Sequence, residues 1–130
     1  MLIFDRLVLD VEQLDRALHF YTQALDFQVV TLGDWLGRRT ALIQLGALHI
    51  LLLEQPGSAN PLHLPKSGPV ITLSDARIVD RFDAIERMGV QILAPLAESP
   101  WGGRSFLIHD PDSYLIMIQE PGGQHPDEQR

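Results

Sequence analysis

The sequence predicts an α+β fold made of two βαβββ modules. Strand-type and helix-type patterns follow one another in the same order twice along the 130 residues. Each round holds one amphipathic helical stretch, and a proline-rich segment separates the rounds. The repeat is one of element order rather than of letters. A single such unit leaves a sheet face bare, so pairing two buries that face and leaves a curved groove.

In the first round, residues 2–11 (LIFDRLVLDV) are rich in branched side chains and read as a strand. Leu14, Ala17, Leu18, Tyr21 and Leu25 then recur on one face of a helical period, with Asp15, Arg16, Gln23 and Asp26 on the other side. FQVVTLG (27–33) reads as a strand ending in a turn at Gly33-Asp34. RTALIQL (39–45) is a second strand, punctuated by Gly46-Ala47, and LHILLLE (48–54) a third, closed by Gln55-Pro56-Gly57.

Three prolines in SANPLHLPKSGP (58–69) mark a linker, placed at 58–67. The second round opens with VITLS (70–74). Ser74 or Asp75 is suited to cap a helix whose face is Ile78, Phe82, Ile85 and Met88 and which stops at Gly89. VQILAP (90–95) is a strand, followed by a Pro/Gly loop with Trp101. RSFLIH (104–109), the turn Asp110-Pro111-Asp112-Ser113 and YLIMIQE (114–120) complete the pattern. The boundaries give one domain over 1–121, with modules at about 1–57 and 68–121. Residues 122–130 form a polar tail without an apolar anchor.

Composition narrows the function classes. A chain of this length buries roughly two thirds of its unfolded surface, enough for a core without staples. It has no cysteine, which rules out disulfides, thiolate zinc sites and thiol catalysis. A net charge of −7 argues against a nucleic-acid partner, which needs clustered Lys and Arg. The longest aliphatic run, Ile50–Leu53, is far too short to cross a bilayer, so no membrane partner is expected. The opening MLIFDRLVLD meets charge at Asp5 and Arg6 and lacks a signal-peptide core, which makes a cytoplasmic location the expectation.

Two stretches carry a family resemblance. FDRLVLDVEQLDRALHFYTQALDF resembles the opening of the vicinal oxygen chelate superfamily, which includes glyoxalase I, extradiol dioxygenases, and fosfomycin- and bleomycin-resistance proteins. The family's Phe-Tyr is Phe20-Tyr21, and Leu-Asp-Phe at 25–27 stands for its Leu-Gly-Phe. Trp101-Gly102-Gly103-Arg104-Ser105-Phe106 and Asp110-Pro111-Asp112 resemble its closing hairpin, so the likeness spans residues 3–120. The resemblance implies a cup-shaped mixed sheet with helices outside, of the glyoxalase/bleomycin-resistance type, and a homodimer.

It also implies positions for a divalent metal, and the residues there are unsuitable. Arg6 stands at the first-strand His position, about Val70 at the second, and Met117 at the last-strand Glu position. The remaining position falls at Leu51, with His49 on the same strand face. An arginine has no lone pair to give, valine has no donor, and a thioether suits Mg, Mn, Ni and Zn poorly. No histidine pair has the close spacing of a zinc site.

The candidate ligand-binding residues are therefore Arg6, His49, Trp101, Arg104 and Met117, with no metal ligand named. Arg6 offers a cation to an anionic or carbonyl group, or pairs with a carboxylate such as Glu54 or Asp10. His49 is the weak candidate for a catalytic base. Trp101, and less so Trp35, offer flat surfaces for stacking. Arg104 touches ligand or holds its loop through a carboxylate. The acidic surface suits a cationic ligand and Arg6 an anionic one, so ligand charge stays open. The expected function is a metal-free small-molecule-binding protein with its groove in the βαβββ cup, needing no cofactor. The alternatives are a divalent-metal-dependent lyase or dioxygenase of the glyoxalase type, and a cofactor-free isomerase or scaffold.

Overall fold

The computed structural model describes residues 1–57 and 69–121. The expected linker at 58–67 and the tail at 122–130 lie outside the described residues, apart from their flanks. The chain forms two compact units, Met1–His63 and Leu64–Arg130.

The first unit runs β1 (Leu7–Val11), α1 (Leu14–Gln23), β2 (Gln28–Trp35), β3 (Arg38–Leu45) and β4 (Leu48–Glu54). Its sheet has the order β1-β4-β3-β2, with β1 parallel to β4 and the other pairs antiparallel. The second unit repeats this with β5 (Ile71–Ser74), α2 (Ile78–Arg87), β6 (Ile92–Glu98), β7 (Arg104–His109) and β8 (Leu115–Gln119). Its sheet order is β5-β8-β7-β6, again with the outer first strand parallel to the last. Both rounds of βαβββ are present as the sequence predicts.

Alternation along the strands decides which face meets the helix. In β4, Ile50 and Leu52 are fully buried, as are Ala41 and Ile43 in β3 and Val11 in β1. Leu14, Ala17, Phe20 and Tyr21 of α1 are buried with them. Tyr21 lies edge-on to Phe20 and Phe27, with ring centroids at 5.3 and 5.4 Å. Each Val, Leu, Ile or Phe side chain withdrawn from water contributes about 1.5–3 kcal/mol. In the second unit Phe106, Ile108, Ile116 and Ile118 are buried with Ile78 and Ile85 of α2, and Phe82 lies edge-on to Phe106 at 5.1 Å.

Several boundaries differ from expectation. The first strand begins at Leu7, and Met1 to Phe4 are exposed. The strand expected to stop at Gly33 continues to Trp35, because Gly33 pairs with Thr40 and Asp34 with Arg39. A Cβ at Gly33 would lie 3.1 Å from Thr40 Oγ1, so glycine there permits close approach within the strand rather than a turn. The turn is Leu36-Gly37, both at positive φ (52° and 80°), the primed geometry that suits hairpin twist. The second helix starts at Ile78 after Arg77, so neither Ser74 nor Asp75 is its N-cap. Asp75 instead accepts the Arg77 N–H at 2.8 Å and pairs with Arg81 at 2.7 Å.

Two further non-glycine residues in turns adopt the left-handed conformation that favours glycine, one of them at the position of the resembling family's Leu-Gly-Phe glycine. Asp26 has φ 62° and Ser113 has φ 72°. Asp110 is wholly buried and organises the second turn. Its Oδ1 accepts the N–H groups of Asp112 (2.9 Å) and Tyr114 (2.8 Å), the structural part read from the sequence.

Candidate functional site

The side chains left over by the two cores line the helix-free face of each sheet. In the first unit the register sets Val8 beside Leu51 and Leu51 beside Leu42, while His49 sits beside Gln44. His49 and Leu51 are half-buried, in contrast to Ile50 and Leu52 of the opposite face. Arg6 precedes Leu7, whose partner is Ile50, so it stands just before edge strand β1, level with His49 of the neighbouring β4.

Neither internal carboxylate suggested for Arg6 takes it. Arg6 Nε binds Asp5 at 3.0 Å, and its side chain is 38% exposed. Glu54 is occupied by Arg39 and by the Leu14 N–H, and Asp10 Oδ1 accepts from Gln55 Nε2 at 2.7 Å. Among the described residues the partner of the Arg6 guanidinium is thus its exposed neighbour Asp5.

In the second unit the same rule gives two rows across the sheet. Thr72 lies beside Met117 and Met117 beside Leu107. Ser74 lies beside Gln119 and Gln119 beside Ser105. Gln119 is buried, and its Oε1 accepts the Trp101 indole N–H at 2.8 Å. Ser99 Oγ is 2.7 Å from Ser105 Oγ and 3.3 Å from Gln119 Oε1. Trp101 keeps 45% of its surface exposed. This face therefore joins a thioether, leucines, hydroxyls and a fixed indole, with no charged group in its rows.

Gln119, Ser99 and Ser105 are absent from the sequence-derived candidates. Period-two continuation from Met117 leads to Gln119, so that signal was available. That Trp101 would return to it across the loop was not.

The remaining candidates separate. Arg104 holds Glu120 through Nη2–Oε2 at 2.7 Å and Nε–Oε1 at 3.2 Å, and its own backbone N–H reaches Oε1 at 3.1 Å. The guanidinium holds the Glu120 carboxyl below its usual range. Arg104 thus fastens the start of β7 to the end of β8. His109 is bracketed by the Asp110 carbonyl at 2.8 Å and the Gln91 side-chain oxygen at 3.2 Å. It is the last residue of β7. Trp35 is exposed at the tip of the β2–β3 hairpin. His63 and His125 lie outside the described residues.

The positions at which the resemblance expects metal ligands do not fit a divalent cation. Arg6 is a cation, Val70 lacks a donor, and Met117 offers only sulfur beside Thr72 and Leu107. Among the described residues no three His, Cys, Asp or Glu side chains come together. A cleft along α2 lined by Arg77, Arg81 and Arg87 is a paired charged surface: Arg77 binds Asp80 at 2.6 Å and Arg81 binds Asp75 at 2.7 Å. Among the described residues no helix is long and apolar enough to cross a membrane.

Two βαβββ modules, each a four-stranded mixed sheet with one helix, are the architecture expected of the vicinal oxygen chelate proteins. The family model for the Glyoxalase/Bleomycin resistance protein/Dioxygenase superfamily matches residues 3–118, and the chain belongs to that family. No curated protein matches it in sequence. Among solved structures it is similar to a glyoxylase/bleomycin resistance protein/dioxygenase domain from Frankia sp. EAN1pec, at 21% identity and TM-score 0.76, covering 95% of this chain and 99% of that one. It is similar to TnmS3, an antibiotic-binding protein from Streptomyces sp. CB03234, at 18% identity and TM-score 0.70, covering 94% and 99%. It is also similar to the fosfomycin resistance protein FosX from Listeria monocytogenes, at 16% identity and TM-score 0.75, covering 100% and 99%. At these identities the likeness establishes the fold.

Proposed function

We propose that the chain is a metal-free binding protein for a small, partly aromatic molecule, with Trp101 and Met117 as the principal contacts. The observation that carries this is the helix-free face of the second sheet. An exposed indole, a thioether and neutral hydrogen-bonding groups stand together where a metal-using relative would need a carboxylate. Fixed aromatics with a few placed polar groups are the usual make-up of a small-molecule site. On the first sheet, considered by itself, Arg6 and His49 offer a cation and an imidazole suited to polar groups. Arg104 acts through Glu120. The likeness of the fold to that of the antibiotic-binding TnmS3 supports a small-molecule-binding reading.

The test combines two measurements. Elemental mass spectrometry on protein purified without chelator or histidine tag gives less than about 0.1 equivalent of Mn, Fe, Ni or Zn, since the donor set cannot retain them. Calorimetric titration with a panel of aromatic antibiotics and small aromatic acids finds a saturable ligand, and Trp101→Ala weakens it about tenfold, the size of a stacking contact. A stoichiometric metal, or a ligand indifferent to Trp101, refutes the reading. The same reading includes a cytoplasmic homodimer, which light scattering and cell fractionation check.

A further inference from the structure

We infer that Gln119 is the positioning residue for Trp101, and that the ligand meets this tryptophan by stacking and not through its N–H. The inference deepens the proposed binding reading and rests on it.

A buried primary amide must satisfy both its ends. Gln119, 8% exposed, does so entirely on the Trp101 loop and its flank. Oε1 accepts from Trp101 Nε1 at 2.8 Å and from Ser99 Oγ at 3.3 Å. Nε2 donates to the carbonyls of Gly102 at 3.2 Å and Glu120 at 3.3 Å. Ser105 extends the chain, its Oγ lying 2.7 Å from Ser99 Oγ. The loop also closes on itself: Ser99 N–H reaches the Gly103 carbonyl at 2.7 Å and Gly102 N–H the Ser99 carbonyl at 3.1 Å. Gly102 and Gly103 supply the positive φ values (94° and 73°) this requires.

The consequence is chemical. An indole has one donor and no acceptor. Here that donor is spent on Gln119 while 45% of the residue stays exposed. What Trp101 presents to a ligand is its ring surface, held at a fixed angle. Pre-setting that angle lowers the ordering cost of binding. The neutral rows around it favour an uncharged planar group over an anion at this position.

The experiment uses Trp35→Phe protein, in which Trp101 is the sole tryptophan. Gln119→Met removes the amide at similar length, and Gln119→Glu keeps the acceptor but not the donor. With Gln119→Met the acrylamide quenching constant of Trp101 at least roughly doubles and its anisotropy falls, as expected for a side chain released from a part-buried hydrogen bond. Gln119→Glu lies between. Affinity for the aromatic ligand falls about tenfold with Gln119→Met, and the Gln119→Met/Trp101→Ala double variant is no weaker than Trp101→Ala alone, the non-additivity of one shared contact. Unchanged quenching, or additive losses, overturns the inference. If Gln119→Met does not fold, indole N–H exchange in the unaltered chain decides. Trp101 exchanges at least about tenfold more slowly than N-acetyltryptophanamide if the hydrogen bond holds, and equal rates overturn it. A protected indole that no aromatic compound perturbs refutes the binding reading while leaving the Gln119 contact in place.

Discussion

Glu54 should contribute measurably to the first module, although it lies on a strand and belongs to no binding surface. It follows Ile50 and Leu52 on the helix face of β4 and reaches the start of α1, where its Oε2 accepts the Leu14 N–H at 2.8 Å. Gln13, the residue preceding the helix, makes no side-chain capping bond, so Glu54 caps from a distance of forty residues in sequence. Arg39 clamps the same carboxylate through Nε at 3.2 Å and Nη2 at 2.9 Å. Losing a helix-start acceptor costs about 1 kcal/mol, and losing an anion at the helix N-terminus costs a further few tenths to about 1 kcal/mol. Glu54→Ala should therefore destabilise by about 1–2 kcal/mol, a fall in Tm of roughly 4–8 °C for a chain of this size. Arg39 is half exposed, so its pairing adds little that salt does not screen. Glu54→Gln keeps one acceptor oxygen and should lose about half as much.

The pH dependence gives a second check. Hydrogen bonding from Arg39, then from Leu14, holds the Glu54 carboxyl below the usual carboxylate range. A depressed folded pKa makes the contribution fully present above the unfolded value, ~4.3, and removes it as pH falls through the folded value. The stability gap between the unaltered chain and Glu54→Gln should be constant from pH 8 to about 5 and shrink below about 4. Urea denaturation followed by circular dichroism measures it. An Ala variant as stable as the parent at pH 7, or a gap that grows on acidification, refutes the reasoning.

Three other outcomes are expected. Asp26→Ala should lower stability by up to about 1 kcal/mol, because a side chain without a local hydrogen-bonding group is strained at φ 62°; equal midpoints in urea would sink this. Leu36→Asn, at φ 52° in the exposed first turn position, should stabilise the hairpin by about 0.5 kcal/mol in a thermal melt. Ile50→Ala, at a fully buried strand position against α1, should cost about 2–5 kcal/mol, whereas His49→Ala beside it should cost under about 1 kcal/mol. A reversal of that order by chemical denaturation would mean the strand faces are assigned the wrong way round.

Much of this molecule is legible before any coordinates. Leu14, Ala17 and Tyr21 announce α1 through their period, and Ile50 and Leu52 announce the buried face of β4 through theirs, because burial of one face is a local constraint written at fixed spacing. The two rounds of elements, the family, and the poor donor set at Arg6, Val70 and Met117 follow from residue identity alone. The sequence misplaces the end of β2 because Gly33 is a turn signal by composition and a close-packing residue by context. It misassigns the α2 cap because Asp75 is spent on Arg81 as well as on the Arg77 N–H.

What only the tertiary structure decides is which polar groups spend themselves on one another. Arg104 and Arg6 look equivalent as letters, yet one is fastened to Glu120 and the other, among the described residues, pairs with its exposed neighbour Asp5. Gln119 carries no motif, yet it fixes the indole eighteen positions away. Hydrogen-bond partners are short-range in space and unrestricted in sequence. Their identity therefore emerges only once the sheet register, itself set by the hydrophobic period, has brought Ser74, Gln119 and Ser105 into one row.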